Sequence, residues 1–347
     1  MPGFDAFIGQ RLPVRLLQQF MRNGTIPHAL LFTGISGIGK LTMAKTFAMA
    51  LNCRQNPPDH PQDTIGEEPP CGKCPTCIKI SNQRHPDVIT LKPQKGTLRI
   101  DQIRNLLGTL AMKPFSAEHR VVIIDEAQAL TPGAGNALLK VLEEPPPDTI
   151  IILINVQKSD LLPTIVSRCR HIHFQPLCPE DLATLLSHHQ GLAPEQATII
   201  ANLAGGSYEK ARLLASGKWQ DMRNWLIQAV GLGQSKSQGS AAITAAMALA
   251  AQLAQRKDKI DDLLDILSTW LRDLAVLPYA GGGVINADCH AVLKQVRPRL
   301  NDQKLLGMWE AVQNAQKDIA ANGNLRLTME IMTLGLAGCT AHPTVSK

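Results

Sequence analysis

The chain of 347 residues is poor in aromatic side chains and in charge, and it has no long hydrophobic run. Phe, Trp and Tyr make up 4% of the residues, charged residues 18% and hydrophobic residues 44%. So few aromatics, with no basic patch interleaved among them, argue against a dedicated platform for stacking single-stranded nucleic acid. The moderate charge and large apolar fraction are typical of a globular protein and exclude an intrinsically disordered one.

The apolar runs are far too short to cross a bilayer, and residues 1–20 carry polar and acidic side chains throughout. We therefore expect no transmembrane helix, no signal peptide and a cytoplasmic location. A net charge of +6 permits contact with a polyanion without requiring it. At this length, two or three domains are expected.

A glycine-rich loop follows the first apolar run. A strand is predicted over 29–33 and a helix over 42–51, and the sequence between them, Gly34–Leu41, is GISGIGKL. Backbone N–H groups of such a loop can bind phosphate. The candidate nucleotide ligands are Gly34, Gly37, Gly39 and Lys40. Leu41, however, stands where such loops carry a hydroxyl that binds Mg²⁺. We therefore expect a weakened ATP or ADP site that lacks one ligand for Mg²⁺.

Strand-like and helical patterns alternate from residue 29 to about residue 175, which predicts a parallel sheet covered by helices on both faces. The predicted strands are 29–33, 87–91, 121–125, 149–154 and 171–174, and the helices between them are 42–51, 99–112, 133–143 and 161–167. The run 150–154 is apolar at every position, as expected for a strand buried on both faces.

Only helical patterns follow Phe174. Three short patterns, at 180–189, 195–203 and 208–214, predict a small helical domain. Longer patterns predict an all-α domain, and they lie at 241–255, 261–277, 287–296 and 303–321. The expected domains are 1–176, 177–216 and 217–347. The last carries no evident chemistry, so we interpret it as a packing or assembly domain.

Polar residues at two strand ends could serve hydrolysis. Asp125 and Glu126 follow an apolar strand, where Asp125 could hold Mg²⁺ and Glu126 could orient the attacking water. An apolar run before two acidic residues is a weak signal alone, but its place after a phosphate-binding loop favours this interpretation. Asn155 ends the next strand, where its amide could bond a γ-phosphate or the water. A lone Asn at such a position is more often a turn residue.

Four of the eight cysteines form a group. Cys71, Cys74 and Cys77 recur at intervals of three, and Cys53 lies upstream at the end of the first predicted helix. Four thiolates suit tetrahedral Zn²⁺ in a structural site, so a zinc module is predicted over 53–77. His60 is a weaker alternative to Cys53 as a ligand, and reduced surface thiols are the competing interpretation.

Ser167, Arg168 and Cys169 lie just before the last predicted strand. Here the chain resembles the clamp-loader branch of the AAA+ ATPases, in which a Ser-Arg-Cys motif projects its arginine into the ATP site of the next subunit. The resemblance covers essentially the whole chain and includes the cysteine insert and the stretch 97–104. It implies an AAA+ domain with a helical lid and a collar domain, and it implies that Arg168 is an arginine finger given in trans. The alternative is a surface arginine near a helix end.

The chain departs from the motor subunits of that family at two positions. Leu41 replaces the hydroxyl, and Glu209, within GSYEKA at 206–211, stands where the lid arginine that senses nucleotide belongs. Both changes argue against ATPase activity of the chain itself. The resemblance therefore implies a non-motor subunit of the bacterial replicative clamp loader. The implied partners are the loader's ATPase (gamma/tau) and delta subunits and, through the assembled complex, the sliding clamp and primer–template DNA.

Two other functions remain open at this point. An active ATPase motor of the same family is favoured by Asp125 and Glu126 and opposed by Leu41 and Glu209. A free-standing P-loop enzyme, such as a small-molecule kinase, would have no use for Arg168, and the long helical region without chemistry argues against it.

Overall fold

The computed structural model describes residues 3–54, 70–94, 96–216, 218–232, 240–279, 284–321 and 323–338. These residues form two compact units. The first comprises Met1–Leu185 and Gly205–Lys210, and the second comprises Leu186–Ala204 and Ala211–Lys347. The division into domains at 1–176, 177–216 and 217–347 stays a prediction.

The first unit is built on a five-stranded sheet in the order β2-β3-β4-β1-β5, with every neighbouring pair parallel. The strands are β1 Ala29–Thr33, β2 Val88–Leu91, β3 Arg120–Ile124, β4 Thr149–Asn155 and β5 Arg170–His173. The predicted parallel sheet is confirmed, and each strand boundary lies within one residue of its prediction.

Helices connect and cover the strands of the first unit. They are α1 Arg11–Arg22, α2 Lys40–Leu51, α3 Pro75–Ser81, α4 Ile100–Leu110, α5 Pro132–Glu143 and α6 Pro163–Val166. The sequence patterns did not predict α1 or α3. Helix α3 begins because the Cys74 sulfur accepts the Cys77 N–H and Pro75 occupies the first helical position, where its missing N–H is no loss.

The sheet is buried on both faces, so alternate residues of each strand enter different hydrophobic clusters. In β1, Leu30 and Phe32 face a cluster with Phe47 of α2, and Leu31 faces one with Leu138 of α5. All seven residues of β4 are buried. The predicted character of this strand is therefore confirmed.

The regular elements described after β5 are all helices, as predicted. Three short helices come first, and the two compact units divide their residues between them. They are α7 Pro179–Gln190, α8 Pro194–Leu203 and α9 Tyr208–Ala215. Further along are α10 Lys218–Leu232, α11 Ser240–Ala254, α12 Ile260–Val276, α13 His290–Val296, α14 Asp302–Ala320 and α15 Leu325–Leu336. In the second unit α15 packs against both α11 and α14, and α14 also packs against α12.

His60, the weaker alternative zinc ligand, lies outside the described residues, as do 233–239 and 280–283. Among the helices of the described segments, none has the length and apolar character needed to cross a membrane.

Candidate functional site

The carboxyl ends of β1, β3 and β4 lie along one edge of the sheet because the three strands are parallel. Thr33 pairs with Asn155, and Ile124 pairs with Leu153. The glycine loop, Asp125 and Asn155 follow or end these strands, so the fold brings the predicted nucleotide residues to a common edge.

The glycine loop connects β1 to α2 through residues that only glycine fits well. Gly34, Gly37 and Gly39 have φ of 143°, 76° and 94°, conformations in the left-handed half of the backbone map. A Cβ on Gly34 would also lie 2.5 Å from the carbonyl oxygen of Phe174. The conformation of the loop therefore favours glycine at these three positions.

Lys40 begins α2, and its side chain folds back onto the loop. Its Nζ donates to the carbonyl oxygens of Gly34 and Ile35, the latter at 2.7 Å. Only 7% of the residue is exposed, and burial lowers the pKa of Lys40 to about 8, although Asp125 acts in the opposite direction. The ammonium group expected to bind phosphate is thus bound by carbonyl groups of its own loop.

The start of α9 contacts the same loop. The Glu209 N–H donates to the carbonyl oxygen of Gly37 at 3.0 Å, and a Cβ on Gly37 would lie 2.3 Å from Ser207 Oγ. The backbone of Glu209 therefore lies beside the glycine loop, and the residue is exposed.

Asp125 lies among lysines at the carboxyl edge. Its carboxylate is 3.8 Å from the Nζ of Lys92. Lys45 of α2 is also buried, and its pKa is lowered by burial and by Lys92 and raised by Asp125. Leu41 offers no oxygen, and cations surround the one carboxylate, so these residues do not fit a bound Mg²⁺, which requires oxygen ligands.

Glu126 and Asn155 are the other two predicted catalytic residues. Glu126 is exposed, with φ of 52°. Asn155 is buried; its Nδ2 donates to the Gln157 carbonyl oxygen at 2.6 Å, and its Oδ1 accepts the Val156 N–H at 2.8 Å. Its amide is therefore engaged in the turn that follows β4.

The four grouped cysteines converge. The sulfur atoms of Cys53, Cys71, Cys74 and Cys77 all lie within 4.8 Å of one another. Zinc–sulfur bonds of about 2.3 Å place tetrahedral ligands about 3.8 Å apart, so the cluster fits Zn²⁺. The sulfur atoms of Cys71 and Cys74 also accept the N–H groups of Cys74 and Cys77, at 3.3 and 3.4 Å, and such bonds orient metal ligands.

Arg168 lies away from this chain's own phosphate loop. It precedes β5, whose Arg170 pairs with Leu30 near the amino end of β1, whereas the loop follows the carboxyl end of β1. Its Nη1 donates to the Thr164 carbonyl oxygen at 2.9 Å, and its Nη2 lies 2.6 Å from Glu143 Oε1. The guanidinium is thus partly exposed at the amino edge of the sheet.

Several polar residues near these sites were missed by sequence reasoning. Lys92 directly follows β2, and its place at a strand end could have indicated that it lies near the other predicted site residues. Lys45 and Glu143 gave no signal, because their roles depend on contacts distant in sequence. The hydroxyl of Thr33 was also missed; it lies 2.7 Å from His171 Nε2 and 3.1 Å from His173 Nδ1.

Two family models match the chain. One, described as DNA polymerase III, delta subunit, matches residues 9–178, and the other, described as DNA polymerase III, delta subunit, C terminal, matches residues 218–334. Solved structures with a similar fold include a DNA polymerase III gamma subunit-related protein from Thermotoga maritima. It is 18% identical, with a TM-score of 0.43, over 92% of this chain and 98% of that one.

Two curated relatives match nearly the full length of the chain. The DNA polymerase III subunit delta' of Pseudomonas aeruginosa is 30% identical over 88% of this chain and 90% of its own length. That of Bacillus subtilis is 29% identical over 93% and 94%. The tau subunit of Bacillus subtilis is 32% identical over 65% of this chain but only 38% of its own length. The chain therefore belongs to the DNA polymerase III delta' family.

Proposed function

We propose that this chain is a non-motor, stator-like subunit of a bacterial replicative clamp loader. It gives Arg168 to the ATP site of a neighbouring ATPase subunit and so supports loading of the sliding clamp onto primed DNA. The family membership supports a role within DNA polymerase III. The likeness to tau subunits supports gamma/tau subunits as the ATPase neighbours, with delta as a further partner.

The position of Arg168 carries this proposal. Arg170 is level with Leu30, and Gly34 is four residue steps beyond Leu30, a rise of about 13 Å along a strand. Arg168 lies beyond Arg170, on the side away from the loop. An arginine at the amino edge cannot serve a phosphate site at the carboxyl edge of the same sheet, but its exposed guanidinium is available to another subunit.

The chain's own loop supports the non-motor role. Lys40 is bound to loop carbonyls, Leu41 provides no metal ligand, and Glu209 lies beside Gly37. Stabilising charge in phosphoryl transfer requires a cation at the β/γ-phosphates and a coordinated metal ion. The chain therefore needs to give an arginine finger and does not need to receive one.

The test is ATP turnover by a reconstituted loader, with clamp and primed DNA, in which only this subunit carries Arg168→Ala. Turnover is expected to fall by a factor on the order of 10³ at the one site that the finger serves. Because other sites mask that loss in steady state, single-turnover hydrolysis should be measured. Arg170→Ala is the matched control, since Arg170 is exposed and two residues away. Equal rates for Arg168→Ala and wild type would refute the proposal.

An active motor is the second candidate, favoured by Asp125 and Glu126 at the carboxyl edge. It predicts ATP hydrolysis by the isolated chain that Lys40→Ala abolishes. Absence of hydrolysis by the isolated chain and by a loader whose other ATPase sites are inactivated would exclude it.

A further inference from the structure

The non-motor role does not explain the ion pair between Arg168 and Glu143 at the amino edge of the sheet. Glu143 is the last residue of α5, and its Oε1 lies 2.6 Å from Arg168 Nη2. The other terminal nitrogen, Nη1, donates to the Thr164 carbonyl oxygen at 2.9 Å. Both terminal nitrogens of the guanidinium are therefore engaged by acceptors of this chain.

Glu143 is a poor residue for this position unless a cation faces it. It ends an α-helix, where the helix dipole already places negative charge, so its carboxylate is unfavourable there. The positive guanidinium of Arg168 offsets the negative charge of the Glu143 carboxylate and of the helix end. Helix α5, which ends in Glu143, also packs closely on α6, which ends two residues before Arg168: a Cβ on Gly135 would lie 3.2 Å from Leu162 Cδ1.

We propose that Glu143 is a positioning residue that retains Arg168 on this chain and competes with the neighbour's triphosphate for its guanidinium. This inference rests on the proposed function. A triphosphate and the carboxylate repel each other, so the contact of Arg168 with Glu143 disfavours its engagement with the phosphate. The side chains are 36% and 50% exposed, and such ion pairs change an equilibrium by a factor of about five at most. Glu143 therefore retards finger insertion without preventing it.

The experiment uses the full reconstituted loader with clamp and DNA, and this subunit carries Glu143→Gln. With the other ATPase sites of the loader inactivated, the ATP concentration for half-maximal turnover at the site that receives Arg168 should fall by about two- to fivefold. Maximal turnover should not fall, and the difference should shrink as salt is raised. Glu144→Gln is the matched control, because Glu144 is the next residue, is exposed and undergoes the same change of charge.

A double-mutant cycle separates this role from a structural one. If Glu143 acts through Arg168, Glu143→Gln should have no effect in an Arg168→Ala background. An unchanged half-maximal concentration in the single variant would overturn the inference, and so would a rise in it or a fall in maximal turnover. If Arg168→Ala alone has no effect, the proposed function itself fails. If Arg168→Ala lowers turnover but Glu143→Gln does nothing, only this inference fails.

Discussion

A buried carboxylate, Asp87, should be among the most important single residues for the stability of the first unit. Asp87 was predicted to begin a strand, but β2 begins at Val88, and Asp87 binds the loop before β3 instead. Its carboxylate accepts the N–H groups of Phe115, Ser116 and Ala117, at 2.8, 2.8 and 3.0 Å. It also lies 3.6 Å from Arg120 Nη2, and both residues are almost fully buried.

The magnitude follows from what Asp87→Ala leaves behind. Three N–H donors lose a charged acceptor, each bond of this kind being worth about 1.5–3 kcal/mol, although the loop donors can partly turn to water. Arg120 loses the anion facing it, and its buried Nε already lacks a partner among the described residues. Leaving one charge of a buried pair uncompensated costs about 3–5 kcal/mol. We therefore expect the free energy of unfolding to fall by about 3–5 kcal/mol.

Urea unfolding followed by far-UV circular dichroism measures this loss. Asp101→Ala is the control, because Asp101 is 79% exposed and its pair with Arg104 is 4.0 Å apart, so a change under about 0.5 kcal/mol is expected. In Asp87→Ala/Arg120→Met the loss should be smaller than the sum of the single losses. A loss below about 1 kcal/mol, or strict additivity, would show that the pair is not stabilising in this way.

The pH dependence gives a second check on the same residue. Burial alone would raise the pKa of Asp87, but the three N–H donors and Arg120 hold this pKa below its usual value. A carboxylate with a lowered pKa stabilises the fold above its unfolded pKa of about 3.9, and this contribution disappears as the pH falls through the folded value. The difference between wild type and Asp87→Ala should therefore be constant from about pH 5 to about pH 8 and shrink only below about pH 4.

Two further predictions concern the metal cluster and the carboxyl edge. Chelation, or Cys74→Ser, should release Zn²⁺ and increase hydrogen exchange in α3 while β1 and β4 stay protected. Cys178→Ser is the control, because Cys178 is exposed. Increased exchange throughout the sheet would contradict a local zinc module. Asp125→Asn should lower the pKa of Lys40 below about 8 and destabilise the chain at about pH 7 by about 1–2 kcal/mol. Because the Lys40 ammonium is largely deprotonated in the folded state by about pH 9, urea unfolding should show a smaller loss there, and an equal loss would refute the explanation.

The sheet could be predicted from sequence because parallel strands buried on both faces are continuous apolar runs, such as 150–154. Helix α1 lacked a comparable signal, since Pro13 and Leu17 are its only fully buried residues. Helix α3 begins at a cysteine cap beside the four grouped cysteines and has only seven residues, so its apolar pattern is short. Contacts between distant segments, such as Glu143 with Arg168, could not be predicted, because a surface glutamate at a helix end has no distinctive pattern.

Asp125 is the main argument for a motor, and its surroundings give it another role. In an ATPase this carboxylate holds a metal ion. Here the cations at the same edge belong to the protein. Burial lowers the pKa of both Lys40 and Lys45, Asp125 opposes that effect, and Lys92 lies 3.8 Å from the Asp125 carboxylate. Two buried ammonium groups without a counter-charge would be unfavourable, so the carboxylate is required even when no nucleotide or metal is used. The presence of Asp125 is therefore compatible with a subunit that does not hydrolyse ATP, as the proposed function requires.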